Sequence, residues 1–132
     1  MSTEDSLAVG SYTEKAVQMA RAHRDFVVGF IAQRRMEGLG TTETDHVSDE
    51  DFLILSPGVS LDRRGDGRGQ QYRTPSEVIL DSGCDIIIVG RGVYELDNKQ
   101  GLRGHDDMRM QAERYRKAAW DAYVERVRMR LE

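Results

Sequence analysis

An arginine flanked by two glycines at the end of an apolar run, Gly90-Arg91-Gly92, is the arrangement in this chain best suited to hold an anion. The glycines let backbone come close to a bound group, and the guanidinium offers a two-pronged donor to a phosphate or carboxylate. Spacing alone leaves a surface ion pair open as the other reading of Arg91. A second candidate lies upstream, where Gly65, Gly67 and Gly69 alternate with charged residues ahead of Gln70 and Tyr72. That stretch has neither the G-x-G-x-x-G spacing of dinucleotide sites nor the lysine-plus-hydroxyl ending of a phosphate loop, so both of those nucleotide motifs are excluded. It reads instead as a flexible stretch, and long flexible loops are often functional.

Other chemistries find little support. His23, His46 and His105 lie far apart and share no frame for a metal, and no H-E-x-x-H occurs. No metal and no cofactor is called for. Cys84 is the only cysteine, which excludes an intrachain disulfide, and its place beside an apolar run suggests a small buried hydrophobe. The net charge of −4 comes from interspersed signs with no basic stripe, which argues against nucleic acid as a partner. No apolar run approaches the roughly 20 residues of a membrane span. The first ten residues show neither a basic segment nor an apolar core of a signal peptide, and a cytoplasmic protein is expected.

These candidates need elements to place them. Ser11 and Glu14 have capping-box spacing, predicting a helix that starts there, with Tyr12, Ala16, Ala20 and His23 along one face. Phe26 to Ala32 reads as a strand covered on both faces, and residues 33–51 as a polar surface loop. Phe52 to Leu55 is a second strand, ended by Ser56-Pro57-Gly58. Thr74-Pro75-Ser76-Glu77 is another capping box, with proline at the first helical position, and this helix should stop at Ser82-Gly83. Asp85 to Gly90 is a third strand, and a long helix runs from about Asp106 to Leu131, with Met108, Ala112, Tyr115, Ala119, Ala122 and Val127 on one stripe and Trp120, Val124 and Leu131 extending it. The alternation predicts an α/β fold, parallel strands with helices packed outside. In barrels of this type the loops after the last two strands commonly bind a phosphate, which is where Arg91 falls. Three strands are too few for a barrel of about 250 residues.

Four ordered motifs carry a family resemblance: Ser56-Pro57-Gly58-Val59, residues 69–75 (GQQYRTP), residues 85–92 (DIIIVGRG) and residues 115–120 (YRKAAW). Together with residues 1–3 and 10–13 they resemble the C-terminal half of fungal-type orotidine 5'-phosphate decarboxylases. The resemblance implies the C-terminal half of a (β/α)8 TIM barrel, and decarboxylation of orotidine 5'-phosphate (OMP) to UMP and CO2 in pyrimidine biosynthesis. Carried over by position, it implies Gln70, Tyr72, Gly90, Arg91 and Gly92 as phosphate-binding residues, with Ser2, Pro57 and Gln70 at the pyrimidine. It makes residues 57–74 the lid and gives no role to the least similar stretch, residues 35–51. The family's catalytic array of lysine and aspartate includes a D-x-K-x-x-D motif, which is absent here: Lys15, Lys99 and Lys117 are the only lysines, and none stands in it. The chain alone is therefore expected to be inactive, with the N-terminal half of the barrel as its partner and a homodimer as the complete assembly. The alternative is a non-catalytic half-barrel that binds a phosphorylated ligand or a partner subunit.

Overall fold

A computed structural model describes residues 3–40, 52–65, 69, 71–95 and 104–131, with side chains described from Tyr12 and, in the last helix, from Asp107. The chain divides into two compact units, Met1–Phe30 with Met36–Leu53, and Ile31–Arg35 with Ile54–Glu132.

In the first unit, α1 spans Thr3–Ala22. It begins well before Ser11, so that serine lies inside the helix and does not cap it. Val17 and Ala20 are buried on this helix, and a box internal to a running helix has no free end to cap. A turn at His23, whose carbonyl accepts the N–H of Phe26 and of Val27, leads into β1, Gly29–Ile31. The strand is shorter than the apolar run that signals it. Phe26 is 87% exposed, and Val28 and Ile31 are exposed too, so the expectation of cover on both faces fails here. What is buried is Phe52, which meets the ring of Phe30 edge-on at 5.0 Å and lies under the Arg24 guanidinium. At Gly29 a Cβ would strike the backbone of Leu53, so the close approach of these two segments requires glycine.

The second unit carries the rest. Here β2 is Leu53–Ser56, of which Ile54–Ser56 belong to this unit, and β3 is Ile86–Ile87; the two are parallel, Leu55 opposite Ile86 and Ser56 opposite Ile87. Parallel strands need a crossover. Here it includes a short helix whose start is the predicted box: Thr74 Oγ1 accepts the Glu77 N–H at 3.2 Å, and a Glu77 carboxylate oxygen accepts the Thr74 N–H at 3.3 Å. Through Glu77–Asp81 the helix is wound one residue wider than an α-helix, Ser82 N–H reaching the Glu77 carbonyl. It ends, as predicted, where Gly83 takes a left-handed φ of 68°. Cys84 is fully buried, in agreement with its reading as a small hydrophobe.

A four-residue helix, α2, begins at Arg91 and runs to Tyr94, where a loop is expected from the sequence. Last comes α3, Gly104–Leu131, two residues longer at its start than the apolar stripe suggests. Tyr115 and Ala122 of that stripe are buried, but Ala112 is exposed, and so are Trp120 (58%), Val124 and Leu131. The helix is fixed inward by Arg126, whose guanidinium donates to the carbonyls of Ile79 and Cys84 and to Asp85. Asp85 also accepts from Arg35 at 2.9 Å and from the backbone N–H of Ile54 at 2.9 Å. One carboxylate thus ties the residues after β1, strand β2 and helix α3 together beneath β3. Among the described residues no helix is long and apolar enough to cross a membrane, and no group of histidine, cysteine and acidic side chains could hold a metal ion.

Candidate active-site cleft

The segments that follow the three strands converge on one cleft. Gln33 comes after β1, Pro57 to Arg63 after β2 and Ile88 to Glu95 after β3; with Tyr72 and two residues of α3 they line a space of about 640 Å³. Parallel α/β proteins place ligands at this end of the sheet, where strand ends diverge and loops are free to vary, and the volume suits a small organic ligand.

Five of the predicted residues, Pro57, Tyr72, Gly90, Arg91 and Gly92, line the cleft. Arg91, at the start of α2, donates from Nη2 to the Tyr72 hydroxyl at 2.6 Å, and its guanidinium lies 5.9 Å from the centre of that ring. The two side chains come from positions 19 apart and hold one another at the cleft wall. Gly90, Gly92 and Pro57 line the same space. Gly92 has a second reason to be glycine: a Cβ there would overlap the Tyr115 hydroxyl. Ser2 and Gln70 lie outside the described residues.

The arms of the loop at 57–74 are held down from several sides. Its base closes through hydrogen bonds from Ser60 N–H to the Arg73 carbonyl and from Arg73 N–H to the Gly58 carbonyl, both 2.9 Å. Further out, Tyr72 N–H donates to the Arg64 carbonyl, and Gly65 pairs with Gln71. The Arg73 side chain reaches under the base, donating to Ser56 Oγ, Ser82 Oγ and the Gln33 carbonyl. On the outgoing arm the Ser60 hydroxyl accepts the N–H of Asp62 and of Arg63, which turns the chain. Asp62 receives both guanidinium nitrogens of Arg114 at 3.1 Å, and this hydrogen-bonded pairing holds its carboxyl below the ordinary aspartate range. Arg64 does the same for Glu77 from the loop's far side.

Sequence reading did not single out Asp62, Arg63 or Tyr115 as parts of this cleft, nor Arg73 as the anchor of its loop. The hydrogen-bond partners of the Asp62, Arg73 and Tyr115 side chains stand 9 to 54 positions away, and no local spacing announces them. The one available signal was that Tyr115 occupies a core position of an otherwise charged helix.

A cleft at the C-terminal ends of strands, with an arginine just past the last of them, is the arrangement of an α/β protein that takes its ligand where the strands end. The comparison with known sequences is more specific. The profile of the Orotidine 5'-phosphate decarboxylase / HUMPS family matches residues 1–101, and the chain belongs to that family. It is 60% identical over 127 residues to the orotidine 5'-phosphate decarboxylase of Schizophyllum commune, covering 96% of this chain and 44% of that protein. The corresponding enzymes of Mucor circinelloides f. lusitanicus and Phycomyces blakesleeanus are 54% and 52% identical, each over 98% of this chain and 43% and 42% of their own length. The chain thus spans less than half the length of these relatives and matches their C-terminal portion.

Proposed function

We propose that this chain is the phosphate- and base-binding side of an orotidine 5'-phosphate decarboxylase, the C-terminal half of a (β/α)8 barrel that converts OMP to UMP and CO2 in pyrimidine biosynthesis. The observation that carries this reading is the Arg91–Tyr72 pair at 2.6 Å on the wall of a cleft formed after three successive strands. A phosphate entering there meets a guanidinium and a phenol already in contact with one another, so little side-chain freedom is lost on binding. Gly90 and Gly92 leave room for backbone to approach the anion, and the family resemblance assigns Gln70 to the link between phosphate and pyrimidine and Ser2 and Pro57 to the base. Residues 57–74 act as the lid, anchored through Arg73 and the Ser60 turn.

Phosphate contacts alone do not remove a carboxylate. Interactions of equal strength in the ground and transition states tighten binding without raising turnover. The decarboxylating step needs charged groups at the carboxylate and a proton donor at C6, and the D-x-K-x-x-D array that supplies them in the family is absent from this sequence. The partner is therefore the N-terminal half of the barrel, the complete enzyme is a cytoplasmic homodimer, and the chain alone is inactive.

Titration of the chain with UMP and with uridine, followed by NMR, tests the assignment. UMP should bind more tightly than uridine. Arg91→Ala should erase most of that preference, about 1.5–3 kcal/mol for a charged hydrogen-bond donor, while leaving the spectrum folded. Equal affinities for UMP and uridine in the wild-type chain would show that the cleft is not a phosphate site.

A further inference from the structure

The cleft contains one buried side chain that joins its two halves. Tyr115 is 3% exposed and belongs to α3, yet its hydroxyl accepts the backbone N–H of Leu61 on the outgoing arm of the loop at 3.1 Å. On its other side the same hydroxyl is packed so tightly on Gly92 that no Cβ fits between them. Leu61 precedes Asp62, and Gly92 follows Arg91. One oxygen therefore fixes the spacing between the loop and the segment that carries the arginine. The neighbouring residues repeat the contact with charges, Arg114 on Asp62, but that pair is open to solvent and an exposed ion pair adds little. The Tyr115 contact is part-buried, and a Leu61 N–H that loses this acceptor loses a protein partner in a less exposed place than the Arg114–Asp62 pair.

We propose that Tyr115 is a positioning residue of the phosphate site: its hydroxyl holds the loop at 57–74 in register with Arg91, so that loop and arginine meet one anion. This rests on the reading of the cleft as a phosphate site. The role is distinct from binding, since the Tyr115 hydroxyl acts through Leu61 and Gly92.

Tyr115→Phe removes the oxygen and keeps the ring, so the core of α3 should persist. In the ligand-free chain, exchange of the Leu61 amide should accelerate roughly three- to tenfold, the worth of one neutral hydrogen bond. The affinity for UMP should fall by a similar factor while that for uridine stays constant, and the urea midpoint should fall by no more than about 1 M, as one neutral hydrogen bond requires. Arg114→Ala, which removes the exposed pair, should change neither. Gly92→Ala should reproduce the faster Leu61 exchange, because its methyl group displaces the same hydroxyl; this variant serves if Tyr115→Phe does not fold. Unchanged Leu61 exchange in these variants overturns the proposal, as does faster exchange with UMP affinity intact, which would make Tyr115 purely structural. A wild-type chain that does not prefer UMP to uridine refutes the phosphate site itself, and the role of Tyr115 falls with it.

Discussion

Replacing Asp85 should destabilise this chain more than any exposed charge substitution. The carboxylate accepts from Arg35 at 2.9 Å, from Arg126 at 3.2 Å and from the Ile54 backbone at 2.9 Å, and its side chain is only 18% exposed against 14% for Arg126. In Asp85→Ala the Ile54 N–H loses its acceptor and Arg126 keeps its two carbonyl partners but no counter-charge. Breaking a fully buried pair costs about 3–5 kcal/mol, and partial exposure here places the cost near the lower end, at about 3 kcal/mol. Asp85→Asn can keep one oxygen as acceptor for Ile54 and Arg35 but loses the charge and turns an NH2 toward Arg126, so a smaller loss than for alanine is expected, about 1.5 kcal/mol. With a urea m-value of about 1.5 kcal/mol/M for a domain of this size, the alanine variant should lower the denaturation midpoint by about 2 M and the asparagine variant by about 1 M. A loss of about 3 kcal/mol is a large share of the 5–15 kcal/mol that holds a typical domain together. Arg116→Ala, which breaks the fully exposed pair with Glu113, should leave the midpoint within error. If Asp85→Ala shifted the midpoint by less than about 0.5 M at unchanged m, the carboxylate would not be the tie that the geometry describes.

Two smaller perturbations probe the loop and the helix beneath it. Thr74→Ala removes one arm of the capping box and should cost about 1 kcal/mol in urea denaturation, with the start of the helix exchanging faster; no change would mean that Pro75 alone sets the helix start. The Asp62 carboxyl is held below its ordinary value of 3.8, first by its hydrogen bond to Arg114. A depressed folded-state value means that the pair contributes above the unfolded-state value and is lost only as pH falls through the folded one. The Asp62–Arg114 contact should therefore persist through pH 5 and dissolve below 3.8, with a small salt-sensitive effect because both groups are exposed. Titration of the Asp62 carboxyl by NMR at or above 3.8 would contradict it.

The legible parts of the fold are those governed by near neighbours. The box at Thr74–Glu77, the glycine stop at Gly83, strand β2 and the buried Cys84 all follow from contacts within a few residues. Start points and cover were harder to read. The box at Ser11 is silent because α1 already runs through it, and Phe26, Val28 and Ile31 are apolar without being buried. The stripe at Trp120, Val124 and Leu131 is likewise uncovered. Hydrophobicity reports a demand for cover, and the sequence pattern does not tell which segment meets it. The position of Arg91 at the end of an apolar run was legible, whereas its contact with Tyr72 was not, since it depends on how the loop folds back. Arg126 offered one overlooked clue. It continues the buried frame of Tyr115 and Ala122, where a charge on a core face demands a partner such as Asp85.

The most direct test of the account is reconstitution. The chain, a separately expressed N-terminal portion of a relative's barrel carrying the D-x-K-x-x-D segment, and their mixture would each be given OMP labelled at the carboxylate, with release of labelled CO2 as the readout. The account predicts no release from either piece alone, release from the mixture, and its loss when the chain carries Arg91→Ala. Turnover by the purified chain on its own, or a mixture that associates into a folded complex and binds UMP yet releases no CO2, would contradict it.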